Sequence, residues 1–163
     1  MRHGRWVSRR STLLLLTSAL ALAFDRGRSD AAGLVGSMAI SHISIDGGPL
    51  GVRPILLAKL QQTFADRLRP GDRQLPVLVV HIQSIYLTTY VDTRDPHANV
   101  DWMEGSAALV GPGHQLIGSY PLQVNVPAAY SGAWYLPDID ARRIDYLCYV
   151  FAQWLRRAVD QSS

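Results

Sequence analysis

Cysteine is nearly absent: Cys148 is the single one in 163 residues. An intrachain disulfide is therefore excluded, and so is a zinc site made of Cys-x-x-Cys pairs. A lipid anchor is not expected either, because it needs a cysteine directly after the leader's cleavage point and Cys148 stands near the far end. Lysine and glutamate occur once each, as Lys59 and Glu104, so charge rests on arginine and aspartate. No long basic run is present, and nucleic-acid binding wants a clustered basic face. The pairs Arg142-Arg143 and Arg156-Arg157 read as the solvated side of a helix. The longest apolar run, Leu13 to Phe24, is broken by Thr17 and Ser18 and stopped by Asp25 and Arg26. That is short of the about 20 residues needed to cross a bilayer, so no membrane-spanning segment is expected in the mature chain.

What the N-terminus does have is a leader pattern. Arg2, Arg5, Arg9 and Arg10 precede the apolar run, without an acid among them, and Ala21-Leu22-Ala23 has the small-x-small form of a cleavage site. A basic start, a short apolar core and a small-residue exit predict a secretory signal peptide over 1–23, cleaved near Ala23, and hence a periplasmic or secreted protein. Asp30-Ala31-Ala32 offers a second site further on. Arg9-Arg10, between Ser8 and Ser11, resembles a twin-arginine export signal but has Thr12 where an apolar residue is usual, so both export routes stay open. Removing the leader also removes the basic character: without its four arginines the 16 basic groups no longer outnumber the 13 acids.

Residues 24–37, rich in Gly, Ser and Asp, are expected to be a flexible arm, and 38–160 a single domain whose stability must come from packing. Met38 to Ile45 predicts a strand, broken by Asp46-Gly47-Gly48-Pro49. From Val52 to Leu68 the residues Leu56, Leu57, Leu60, Phe64 and Leu68 recur at helical spacing, with Pro54 in the first turn. Leu75 to Tyr90 reads as a long strand, with Val77, Val79, His81, Gln83, Ile85 and Leu87 on one face and Leu78, Val80, Ile82, Ser84, Tyr86 and Thr88 on the other. After a polar loop, strands over Trp102–Val110 and Gln115–Val126 form a hairpin around Gly111-Pro112-Gly113, a sequence suited to a type II turn. Asp138 is the expected N-cap of a last helix reaching Val159, with Ile144, Leu147, Cys148, Phe151, Leu155 and Ala158 as its apolar stripe. The expected class is α+β, in the order β-α-β-β-β-α: a four-stranded mixed sheet with two helices packed on one face, the first two strands parallel.

The same sequence holds no motif that assigns a catalytic residue, a metal ligand or a cofactor. The histidines His42, His81, His97 and His114 lack metal-site spacing, although His42 and His81 fall on strands that can be neighbours. Between 92 and 104 stand Asp92, Asp95, His97, Asp101 and Glu104, groups that serve acid–base or metal-dependent hydrolysis when a fold gathers them. A polar loop reading of the same segment needs no chemistry. Cys148 falls on a buried stripe, where a thiol is inert. The segment 127–137 places Tyr130, Trp134 and Tyr135 among Ala, Ser and Gly. These three are the candidate binding residues: amphipathic aromatics there make a contact surface for protein, glycan or lipid, or else fold back as a lid on the core.

In its leader, its element order, the apolar first helix over Ile55–Leu68 and the long second strand over Val77–Thr89, the chain resembles small bacterial envelope proteins, the lipopolysaccharide-assembly and transport-auxiliary lipoproteins. It lacks their lipid-bearing cysteine. The resemblance implies a non-enzymatic accessory that docks onto a protein partner in the envelope. Two other functions remain open at this point: a metal-dependent hydrolase using the 92–104 segment, and a small-ligand or glycan binder using the 130–135 aromatics.

Overall fold

The computed structural model describes residues 38–89, 99–133 and 135–162. The leader and arm at 1–37, the segment 90–98 with Asp92, Asp95 and His97, and Trp134 lie outside the described residues. Ile43 and Ile45 alternate with His42, Ser44 and Asp46 in strand β1, His42–Gly47. Gly47 and Gly48, at φ of 69° and 64°, then turn the chain towards helix α1, Val52–Thr63. Glycine is needed here twice over, since a Cβ on Gly48 would stand 2.8 Å from Cβ of Ile82. Strand β2, Val77–Tyr86, runs parallel to β1. Strands β3, Val100–Val110, and β4, Leu116–Pro127, follow as antiparallel neighbours, giving the spatial order β1-β2-β3-β4. A 3-10 turn, Ala128–Ser131, leads on to helix α2, Ile139–Gln161. The fold is therefore α+β, with a four-stranded mixed sheet and two helices.

Both helices share one hydrophobic core with one face of the sheet. Leu56, Leu60 and Phe64 from the α1 side meet Leu147, Phe151 and Leu155 of α2 over Leu78, Val80, Met103 and Leu109. Each such fully buried side chain contributes about 1.5–3 kcal/mol of transfer free energy. Phe151 comes close to the sheet because Gly105 has no side chain: a Cβ there would lie 3.3 Å from the Phe151 ring and 2.6 Å from the His81 carbonyl oxygen. Pro121 sits inside β4, a position tolerated because β4 is an edge strand. Among the described residues, no helix is long and apolar enough to cross a membrane.

Several local expectations are corrected by the structure. The first helix stops at Thr63 rather than Leu68, because the chain there leaves the helix to bridge Ile40: Ile40 N donates to Arg67 O and Arg69 N to Ile40 O, both at 2.9 Å. In β2 the register shifts between Ile82 and Ser84, where the strand carries one extra residue. Beyond that bulge the faces exchange, so Ile85 opposes Met103 on the core side and Tyr86 opposes Trp102 on the other. The β3–β4 hairpin does not have a type II turn. Gly113 is not at positive φ; His114 is, at 60°, and His114 N donates to Gly111 O at 3.0 Å. That is a type I turn followed by a left-handed residue. Asp138 precedes α2 as expected but makes no side-chain cap; its carboxylate accepts from Arg142 Nε at 2.8 Å instead.

Candidate interaction surface

Asp101 and Glu104, the two described members of the 92–104 group, are separated by the sheet itself. Strand alternation turns Asp101 into the core, where it is 1 % exposed, and leaves Glu104 on the open side. Both Asp101 oxygens accept from Arg143 of α2: Nη2 reaches Oδ1, and Nε reaches Oδ2 at 2.8 Å. Arg143 also donates to Thr88 O at 2.6 Å and to Asp140 Oδ1 at 3.0 Å, and Thr88 N donates to Asp101 Oδ1 at 3.0 Å. This pair ties the end of β2, the start of β3 and the first turns of α2 together. It occupies Asp101, which leaves that carboxylate no free oxygen for a metal or a proton-transfer role. Arg143, expected on a solvated helix side, is 4 % exposed. Arg156 is likewise half-buried: it pairs with both oxygens of Asp66 at 2.7 and 2.9 Å and lies over the Phe64 ring at 5.3 Å. Arg142 and Arg157 are exposed, as expected.

The aromatic segment starts from a buried anchor. Ala128 is fully buried, and its N–H donates to Asn99 O at 2.9 Å, at the mouth of β3. The 3-10 turn then carries Tyr130 out to the surface, 69 % exposed, and Tyr135 beyond it is 72 % exposed. Tyr130 meets Tyr146 of α2 edge-on, with centroids 6.2 Å apart at 79°. Tyr146 in turn stacks on Tyr149, one helical turn along, at 6.0 Å and 28°. Three tyrosines thus form a continuous amphipathic group on the outer side of α2. The i, i+3 spacing of Tyr146 and Tyr149 places them side by side on α2, but nothing local in the sequence brings Tyr130 to them. Of the three candidates named from sequence, Tyr130 belongs to this group, Tyr135 stands at the surface nearby in sequence, and Trp134 lies outside the described residues.

The remaining candidates separate. His42 and His81 do share the open side of adjacent strands, but the register pairs His42 with Val77 and His81 with Asp46, so the histidines do not meet. His81 Nδ1 lies 3.6 Å from Asp46 Oδ2, and His42 Nδ1 lies 3.1 Å from Ser41 Oγ. Among the described residues, no three His, Cys, Asp or Glu side chains converge to hold a metal ion. Cys148 is buried, and burial first, with the nearby Asp145 charge second, pushes its thiol up to about 12. That protonated thiol is no nucleophile at neutral pH.

No family model matches the chain, and no curated protein sequence matches it. Solved structures with a similar course of the backbone include a minor lipoprotein from Acinetobacter baumannii, at 8 % identity and a TM-score of 0.48 over 76 % of this chain and 92 % of that one. A lipoprotein from Caulobacter crescentus matches at 12 % identity and a TM-score of 0.43, over 80 % and 92 % of the two chains. Rare lipoprotein B from Shewanella oneidensis matches at 13 % identity and a TM-score of 0.40, over 74 % and 92 %. At these values the likeness assigns no role to any residue of this chain.

Proposed function

We propose that the chain is an exported, non-enzymatic accessory of the bacterial cell envelope that works by holding a protein partner, and that the Tyr130–Tyr146–Tyr149 group is its contact surface. The observation that carries this reading is the tyrosine group itself. Rings with two rotatable bonds, already packed on one another, lose little conformational freedom when a partner covers them, and their hydroxyls keep a polar tip for the rim. The leader pattern over 1–23 supports export, and the near-neutral charge of the remaining chain, which has no long basic run, supports a partner that is a protein rather than a nucleic acid. In this reading the mature chain carries no lipid.

The test is photo-crosslinking in the native cell, with a photoreactive residue placed at Tyr130 or Tyr149. The same envelope protein should be captured from both positions, and Tyr146→Ala should lower its capture at least several-fold while the melting temperature stays within a few degrees. Capture from neither position, or capture indifferent to Tyr146→Ala, would remove the tyrosine group from the interface. Mass spectrometry of the mature N-terminus in the same sample checks export: a start near Phe24 without an added lipid mass is expected.

A further inference from the structure

The side of the sheet away from the helices carries a second built surface, on different elements. Tyr86 of β2 and Trp102 of β3 oppose one another there, stacked at 5.9 Å and 24°, with Tyr86 48 % exposed. The two rings are close to parallel and form one aromatic pair across the middle strands. Next to it, one step along the strands, lies an open depression of about 410 Å³ lined by Gln83, Glu104, Gly105, Pro121, Leu122 and Gln123. The β2 bulge makes room for it: Gln83 is the extra residue, and Ser84 behind it donates to Glu104 Oε2 at 3.4 Å. On β4, Gln123 opposes Glu104 and Asn125 opposes Trp102, so planar amides flank both the carboxylate and the aromatic pair.

Charge narrows what this surface accepts. None of the four strands contains a lysine or an arginine, so an anionic group set on these strands would face Glu104 with no strand-borne lysine or arginine to balance it. A lipid tail would strand the amides and the carboxylate without partners, which costs free energy for each. A neutral polyhydroxyl ligand satisfies both halves: the C–H faces of its rings lie on Trp102 and Tyr86, while its hydroxyls donate to Glu104 and exchange hydrogen bonds with Gln83, Gln123 and Asn125. The depression is within the about 300–1,000 Å³ typical of small-ligand sites. We infer that the open sheet face is a binding site for a neutral glycan strand, seated on Trp102 and Tyr86 and held by Glu104 and the neighbouring amides. This goes beyond the protein-contact reading above, since it uses other residues on the opposite side of the sheet.

Titration calorimetry of the purified protein with cellohexaose, N-acetylchitohexaose and maltohexaose, and with hexagalacturonate as the charged counterpart, tests it. At least one neutral hexasaccharide should bind at millimolar concentration or better, and hexagalacturonate about tenfold more weakly than it. Trp102→Ala should lower the affinity about tenfold or more. Because Trp102 is half-buried, the exposed variants Glu104→Gln and Gln123→Ala are the second arm, each expected to lose a few-fold with unchanged melting. Tyr149→Ala, on the helix side, should leave sugar binding as it is, which keeps this result separate from the fate of the tyrosine surface. No binding of any neutral hexasaccharide to the folded protein would overturn the inference. So would equal binding of hexagalacturonate, or binding that survives all three sheet variants. Sedimentation showing a dimer that Trp102→Ala disperses and sugars do not would overturn it as well, by making a second copy the occupant.

Discussion

The core face and the open face of the sheet come from the same four strands, yet none of these strands supplies a lysine or an arginine to either face. Every described arginine, and Lys59, lies on a helix or a connection, and α2 is fastened by guanidinium pairs at both ends: Arg143 to Asp101 near its start, Arg156 to Asp66 near its finish. The open face has the carboxylates of Asp46 and Glu104, neutral amides, hydroxyls, two histidines and the Tyr86–Trp102 pair. The helix layer is therefore held by long-range charge pairs as well as by apolar packing. The open face contributes less to stability and keeps its polar groups available to something outside the chain.

The sharpest way to break that contrast is to strand a charge under the helices. Asp101→Ala leaves Arg143 buried without its carboxylate and should destabilise by about 3–5 kcal/mol in urea unfolding. The joint replacement Asp101→Leu with Arg143→Met should recover most of that, which would assign the loss to the uncompensated charge rather than to lost packing. Gly105→Ala probes the contact between the layers. Its methyl group would press on the Phe151 ring and the His81 carbonyl, and a cost of about 1–3 kcal/mol is expected. On the open side, a double-mutant cycle of Tyr86→Ala and Trp102→Ala should return a coupling of only about 0.5–1 kcal/mol. The smallest effect belongs to the exposed end of α2. The Arg156 hydrogen bond lowers the Asp66 carboxyl from 3.8 to about 2. A group lowered in the folded state stabilises above its unfolded pKa and loses that contribution as pH falls towards the folded value. The slope of stability against pH between about 4 and 2 should therefore flatten in Asp66→Asn, measured by thermal melts across that window.

Element order and class were legible because periodicity reports burial directly: Leu56, Leu60 and Phe64 at helical spacing, and Leu78 and Val80 at strand spacing, are all core residues. The faces beyond Ile82 were not, since a bulge inserts one residue and reverses alternation. Its trace in the sequence is the consecutive polar pair Gln83-Ser84 between Ile82 and Ile85. Arg143 was misplaced because a charged residue beside Arg142 looks solvated, yet stepping back by fours from Leu155 through Phe151 and Leu147 lands on it. An arginine on an apolar stripe calls for a buried acid, and Asp101 sits on the core face of its strand. The aromatic groups needed three-dimensional neighbours. Tyr130 pairs with Tyr146 and Tyr86 with Trp102 across 16 positions in each case, which no local pattern reports.

Pro121 limits how the molecule can fail as well as how it folds. A strand arriving along the outer edge of β4 finds a position with no N–H to offer, so a growing ladder would lose a rung there. The opposite edge, β1, exposes a strand of only 6 residues, with the charged Asp46 and the Gly47 turn closing it. Edge-to-edge pairing of one copy's sheet with the next is thereby discouraged at both borders.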